Sequence, residues 1–257
     1  MNDMIKEALE LYRKKEYEKA LNVFERMLEH TNSSPAIYNN IAMCYFNIHN
    51  SEKAIEYFIK ALSMDNKLVQ SYINLADIYF REQRYLEAIE LLQNAVYYVP
   101  ENNVLKHYLA RVYMADARLD LAIPLLDEVL EKDFENYDAH WDLGRVCFDL
   151  GEYNGAIEHF EKVVEACPNN ELILYQLGQA YEANNEIFKA LSNYLKAVAI
   201  NEKFHPAYKK VGMIFYAQKD YESAKEYFEQ YLDLDIDDDE REEIQGVINR
   251  INAKEAN

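Results

Sequence analysis

The sequence predicts an all-α chain, an array of repeated helix pairs closed by a further helix, on three observations. Alanine recurs at Ala20, Ala54, Ala88, Ala122, Ala156, Ala190 and Ala224, each 34 residues after the last. Twelve residues before each stands another small residue: Ala8, Ala42, Ala76, Ala110, Gly144, Gly178 and Gly212. Only six Gly and five Pro punctuate the 257 residues, too little turn chemistry for a many-stranded sheet or for long linkers.

Seven units fill residues 1–238 without insertion or deletion: 1–34, 35–68, 69–102, 103–136, 137–170, 171–204 and 205–238. Short side chains let two helices approach closely, so the two small ladders are expected to face each other where the helices of a pair cross. Large apolar ladders at helical spacing accompany them. Tyr45, Tyr79, Tyr113, Tyr181 and Phe215, with Leu11 and Cys147, form a rung of the first helices. Phe24, Phe58, Leu92, Leu126, Phe160, Tyr194 and Phe228 form one of the second helices, four residues after each alanine. Both rungs are expected in the core.

These offsets resemble the tetratricopeptide repeat family over residues 1–238. The fifth unit carries the pattern most fully, with Leu143-Gly144, Tyr153, Ala156, Phe160 and Pro168 in register. The resemblance implies a right-handed superhelical solenoid of antiparallel helix pairs whose first helices line a concave groove. The first unit departs from the pattern at Met4, and the proline near the unit end is replaced by Asn32, Asn66, Phe134, Glu202 and Ile236. In the fourth unit Pro124 falls inside the second helix, where a lost N–H and a steric clash cost about 3 kcal/mol in an ideal helix. It is either a hinge or a solvent-side kink absorbed by its neighbours, the second being the ordinary outcome.

After residue 238 the pattern stops. Ile244, Val247, Ile248 and Ile251 follow i, i+3, i+4, i+7 spacing, which predicts a one-sided capping helix in 239–257 that covers the end of the stack.

Composition excludes several functions. A net charge of −19 argues against nucleic acid, whose phosphates need clustered Lys and Arg. No long uncharged apolar stretch predicts a membrane span, and a cytoplasmic protein is expected. Cys44, Cys147 and Cys167 form no C-x-x-C pair, and the six histidines form no H-E-x-x-H pair and read as dispersed. The acidic run from Asp233 to Glu240 lacks the Gly and terminal Glu that a calcium loop needs, holding Asp238 and Ile244 there. Gly144, Gly151 and Gly155 lack the Lys-Ser/Thr end of a phosphate loop and are read as packing positions. No catalytic residue, metal site or cofactor is therefore expected.

If the family geometry holds, the groove is lined by the second, fifth, ninth, twelfth and thirteenth places of each unit. On this chain the resemblance assigns Met43, Phe46, Ile73, Phe80, Arg81, His107, Arg111, Met114, Trp141, Arg145, Phe148 and Tyr175 to a peptide-binding groove. Leu9, Tyr12, Met213 and Tyr216 extend the apolar series. Exposed aromatic and Met patches mark protein sites, whereas packing between adjacent helices would account for part of this set. Arg81, His107, Arg111 and Arg145 suit a carboxylate-bearing or phosphorylated segment, unless Asp77, Asp138, Asp142 or Asp149 neutralise them. The lysine and asparagine clamp of the family's chaperone-binding members is not reproduced, since Ile5, Leu9, Asn40, Gln70 and Asn74 stand at its positions. The reading is an adaptor that binds a partner peptide or helix. The alternatives are a self-assembling homo-oligomeric scaffold, or a non-catalytic subunit of a larger complex.

Overall fold

The computed structural model describes residues 2–30 and 34–255. Among them are fifteen α-helices and no strand. In order these are α1 (Asn2–Arg13), α2 (Tyr17–His30), α3 (Pro35–Asn47), α4 (Ser51–Met64), α5 (Val69–Arg81), α6 (Tyr85–Tyr98), α7 (Asn103–Ala115) and α8 (Leu119–Lys132). There follow α9 (Tyr137–Asp149), α10 (Tyr153–Ala166), α11 (Glu171–Ala183), α12 (Ile187–Ile200), α13 (His205–Ala217), α14 (Tyr221–Leu232) and α15 (Asp238–Glu255). From α3 to α13 successive first helices begin 34 residues apart, as do all the second helices from α2 to α14. Asn32, at one of the replaced prolines, lies outside the described residues.

Helix ends follow local chemistry. Side-chain oxygens of Ser34, Asn102, Asn136 and Asn170 accept from the first turns of α3, α7, α9 and α11, and Asn50 and Asp220 do the same for α4 and α14. Each first helix stops in a left-handed residue, at Lys15, His49, Gln83, Ala117, Gly151, Asn185 and Lys219, with φ between 57° and 79°. Gly151 is thus a turn residue. No atom lies within 4 Å of where its β-carbon would stand, which corrects its reading as a packing position.

Two compact bodies make up the chain, Met1–Phe134 and Glu135–Asn257. Within the first, each first helix packs on its own second helix, and α2, α4 and α6 pack on α3, α5 and α7. Ala20, Ala54, Ala88 and Ala122 are fully buried, and Phe24, Phe58, Leu92 and Leu126 beside them nearly so. Leu11 of the other rung is only half-buried. Pro124 is exposed and α8 runs unbroken through it, the ordinary outcome for such a proline.

In the second body, Ala156, Phe160, Ala190, Tyr194, Ala224 and Phe228 are fully buried, while Phe215 is half-buried. The small first-helix ladder meets aromatic rings rather than the alanines. A β-carbon on Gly144, Gly178 or Gly212 would come within 2.6 Å of Phe160, 2.6 Å of Tyr194 or 2.5 Å of Phe228. The ring sixteen residues along fills the space that glycine leaves. The last helix, α15, buries Ile244, Val247, Ile248 and Ile251 against Tyr208, Ala224, Phe228 and Tyr231. It is therefore a cap over α13 and α14, and it begins one residue before the expected boundary.

A tyrosine ladder ties successive pairs together. Tyr45 Oη donates to Glu25 at 2.9 Å, Gln93 Nε2 donates to Tyr113 Oη at 2.8 Å, and Tyr181 Oη donates to Glu161. In each bond a first-helix tyrosine reaches the second helix of the preceding pair.

Candidate functional site

None of the twelve groove residues is buried, although eight of them are large apolar or aromatic side chains. In the first body, Met43, Phe46, Ile73, Phe80, His107 and Met114 are half-buried, and Arg81 and Arg111 are exposed. They lie on α3, α5 and α7, the first helices of their pairs. The Arg81 guanidinium stands 5.3 Å from the Phe46 ring and pairs with Asp77, one turn back, at 2.9 Å. Asn74 Nδ2 lies 2.8 Å from the Met43 sulfur, and Asn47 Nδ2 donates to the Tyr12 hydroxyl at 2.9 Å. Phe80 meets Tyr85 edge-on, with centroids 5.7 Å apart. Between α5 and α7 a pocket of about 100 Å³ is lined by Asp77, Phe80, Tyr108 and Arg111.

In the second body Trp141 is half-buried, its ring 5.4 Å from Phe160, so one face belongs to the core. Phe148 packs on Tyr153 with centroids 5.7 Å apart. Arg145 is exposed and stands 3.9 Å from the carboxylate of Asp142, itself buried. Tyr175 packs against Tyr194 and Phe204, each at 5.4 Å. It also walls a pocket of about 340 Å³ shared with Glu182, His205, Lys209, Lys210, Met213, Tyr231 and Glu240. Lys210 pairs with Glu182 at 3.0 Å, and Lys209 with Glu243 at 2.8 Å and Glu240 at 3.6 Å. The Tyr231 hydroxyl is buried without a partner at hydrogen-bond geometry, and burial, reinforced by Glu240, raises its pKa. Sequence reasoning singled out Tyr175 and Met213 and passed over Glu182, Pro206 and Lys209, which stand at groove places of the same units, while Tyr231 and Glu240 lie on a second helix and the cap, where no first-helix pattern reaches.

Of the central charges, Arg81 and Arg145 each face a carboxylate on their own helix. The exposed Arg81–Asp77 pair is worth about 0–1 kcal/mol, so a partner's carboxylate can compete for Arg81. The fold also corrects the reading of the histidines as dispersed: His140 on α9 and His159 on α10 come together, Nδ1 to Nδ1 at 2.9 Å. Cys44 and Cys147 are buried and Cys167 is exposed. Burial pushes the Cys44 thiol up to about 12, which keeps it protonated and inert. Among the described residues no cluster of three metal-ligating side chains occurs, and no helix is long and apolar enough to cross a membrane.

Models described as tetratricopeptide repeat match residues 35–67, 79–145, 113–158, 173–204 and 205–237, and one described as TPR repeat matches 144–185. The chain belongs to the tetratricopeptide repeat family. Among solved structures, it is similar to the C-terminal part of a TPR repeat-containing protein from Cytophaga hutchinsonii. That likeness has a TM-score of 0.78 and 19% identity and covers 93% of this chain and 98% of the other. Among curated proteins, it is 25% identical over 116 residues to the BBSome complex member BBS4 of Bos taurus, covering 45% of this chain and 22% of that protein. It is 29% identical over 121 residues to RNA polymerase II-associated protein 3 of Xenopus tropicalis, covering 44% and 18%. The chain thus spans about a fifth of the length of these curated relatives. Tetratricopeptide repeat proteins generally mediate protein–protein interactions and complex assembly.

Proposed function

We propose that this protein is a non-catalytic, cytoplasmic adaptor that holds a peptide or helix of another protein along its first helices, with the seven units of residues 1–238 as the binding array. The observation that carries the reading is that Met43, Phe46, Ile73, Phe80, Met114, Trp141, Phe148 and Tyr175 all keep accessible surface although a core would bury them. An apolar lining that folding leaves uncovered is the usual mark of a protein-binding surface. Arg81, His107 and Arg111 in the first body and Arg145 in the second add an acidic segment to what the partner presents, since the guanidinium fork donates two hydrogen bonds to a carboxylate or phosphate. Nucleic acid is disfavoured by the net charge of −19.

The test is a peptide array probed with the intact chain and with a Phe80→Ala, Arg81→Glu, Arg111→Glu variant. Acidic peptides with apolar anchors that bind the parent and are lost by the folded variant support the site. Peptides retained equally by both put binding elsewhere. A second reading, a subunit of a larger complex, is favoured by relatives named as a BBSome complex member and as anaphase-promoting complex subunit 3 of Schizosaccharomyces pombe. Self-assembly is the remaining alternative, and sedimentation showing a monomer throughout the micromolar range would remove it.

A further inference from the structure

The pocket of about 340 Å³ in the second body is walled by α11, α13, α14 and α15. Ligand pockets run from about 300 to 1,000 Å³, so this one suits a single side chain and not a helix. Glu182 sets it apart from the rest of the array. It stands at the twelfth place of the sixth unit, where the other units carry Tyr12, Phe46, Phe80, Met114, Phe148 and Tyr216. That place takes a large apolar side chain elsewhere, so the fold does not require a carboxylate there.

The charges around the pocket do not balance. Lys210 Nζ at 3.0 Å and the Tyr194 hydroxyl at 2.6 Å both meet Glu182 Oε2, and among the described residues nothing pairs with Oε1. Lys209 lies 2.8 Å from Glu243, and Glu240 has only a long ion pair to the same ammonium, at 3.6 Å. Three carboxylates thus stand against two ammonium groups, an excess of one negative charge. One further cation neutralises the cluster, whereas an anion adds to the excess. The other walls choose between cations. Tyr175, Pro206, Met213 and Tyr231 are aromatic or largely apolar. A guanidinium is planar, more weakly hydrated than an ammonium, stacks on aromatic rings and carries five N–H donors for carboxylates.

We propose that this pocket receives an arginine side chain of the partner segment, the guanidinium donating to Glu182 and Glu240 and its plane lying against Tyr175. The inference rests on the reading of the first helices as a docking face. Lys210 and Lys209 hold the two carboxylates in place, and the arginine supplies the missing positive charge.

The test is titration of the full chain with acetyl-Ala-Arg-Ala-amide, followed by amide chemical shifts in nuclear magnetic resonance. Saturable shifts should centre on Tyr175, Glu182, Lys209, Met213 and Glu240. The same peptide with citrulline keeps the shape of arginine but loses its charge, and should bind at least about tenfold more weakly. The lysine peptide should also bind more weakly. Glu182→Gln keeps an oxygen for Tyr194, and Glu240→Gln changes only the cap; each should fold and weaken arginine binding by at least about fivefold. The Phe80→Ala, Arg81→Glu, Arg111→Glu variant of the first body should bind the arginine peptide as the parent does, which separates this site from the acidic-segment reading. Absence of saturable shifts at the pocket, equal binding of the arginine and citrulline peptides, or folded Glu182→Gln and Glu240→Gln variants that bind as the parent does would overturn the proposal and leave these carboxylates as structural ion-pair members only.

Discussion

The ring of Tyr194 occupies the place of a side chain that Gly178 lacks: a β-carbon there would sit 2.6 Å from the ring's Cε1. The Tyr194 hydroxyl donates to Glu182 on the same first helix at 2.6 Å, which holds the ring in that position. The pair thus fixes how closely α11 and α12 approach. Gly178→Ala should lower stability by about 1–3 kcal/mol, the usual result of overpacking, because the ring is fully buried and has nowhere to move. Denaturant unfolding measures it, and a midpoint unchanged from the parent would show that the helices separate freely.

Ala117 ends α7 with φ 57°, where an L-residue carries a steric cost that glycine escapes. Ala117→Gly should therefore raise stability by up to about 1 kcal/mol, part of the gain being offset by the greater freedom of glycine in the unfolded chain. Gly151, the equivalent residue of the next pair, is the precedent within the chain. Gly151→Ala should move the melting temperature the opposite way.

Removing α15 after Asp237 should lower the melting temperature and promote association. Its Ile244, Val247, Ile248 and Ile251 are buried against α13 and α14, and each such side chain contributes about 1.5–3 kcal/mol before ordering entropy is deducted. The loss would expose Tyr208, Phe228 and Tyr231. A truncated chain as stable and monomeric as the parent would deny α15 its capping role.

Alkaline unfolding should track the buried tyrosines. Burial, with the hydrogen bond to Glu25 behind it, raises the Tyr45 phenol to about 12, and Tyr181, Tyr194 and Tyr231 shift in the same direction. A raised folded-state pKa means that the folded chain holds its proton more tightly. The resulting stability is fully present below the ordinary tyrosine value of about 10 and is lost as pH climbs through about 12. Absorbance at the tyrosinate band should show one group of tyrosines ionising freely and the rest only together with loss of helical circular dichroism. Tyr45→Phe should reduce that alkaline loss.

Much of the fold was legible because one period governs it: Phe24, Phe58 and Phe160 lie on a rung whose spacing alone marks them as core, and all are buried. The left-handed residues were not legible, since Lys15, His49, Gln83, Ala117, Asn185 and Lys219 share no chemistry and the backbone geometry of the turn sets their φ. At the groove, sequence could place Trp141 on a face but could not show that one side of its ring rests on Phe160. The pairing of Arg81 with Asp77 follows from i, i+4 spacing on one helix. The meeting of His140 and His159 escaped notice because it belongs to one unit. Aligning the units shows it, for their places hold Tyr38 and Tyr57 in the second.

The last prediction concerns the groove of the first body. Arg81 is two-thirds exposed, and its bond to Asp77 is an exposed pair within one helix, so Arg81→Glu should cost folding no more than about 1 kcal/mol. Arg111 is exposed beside Phe80 in the α5–α7 pocket and should be replaceable at similar cost. For an acidic peptide seated there the outcome differs. Each reversal removes a charge-assisted hydrogen bond, worth about 1.5–3 kcal/mol, and sets a carboxylate against the ligand's own. The double variant should therefore fold like the parent, bind such a peptide at least about a hundredfold more weakly, and lose most of the salt dependence of binding. Phe80→Ala should also weaken binding but leave the salt dependence in place, because it removes an apolar anchor and no charge. Calorimetric titration at two ionic strengths separates these outcomes. If the charge-reversed chain binds the acidic peptide as the parent does, the arginines serve only their own helices and the acidic-segment reading is wrong.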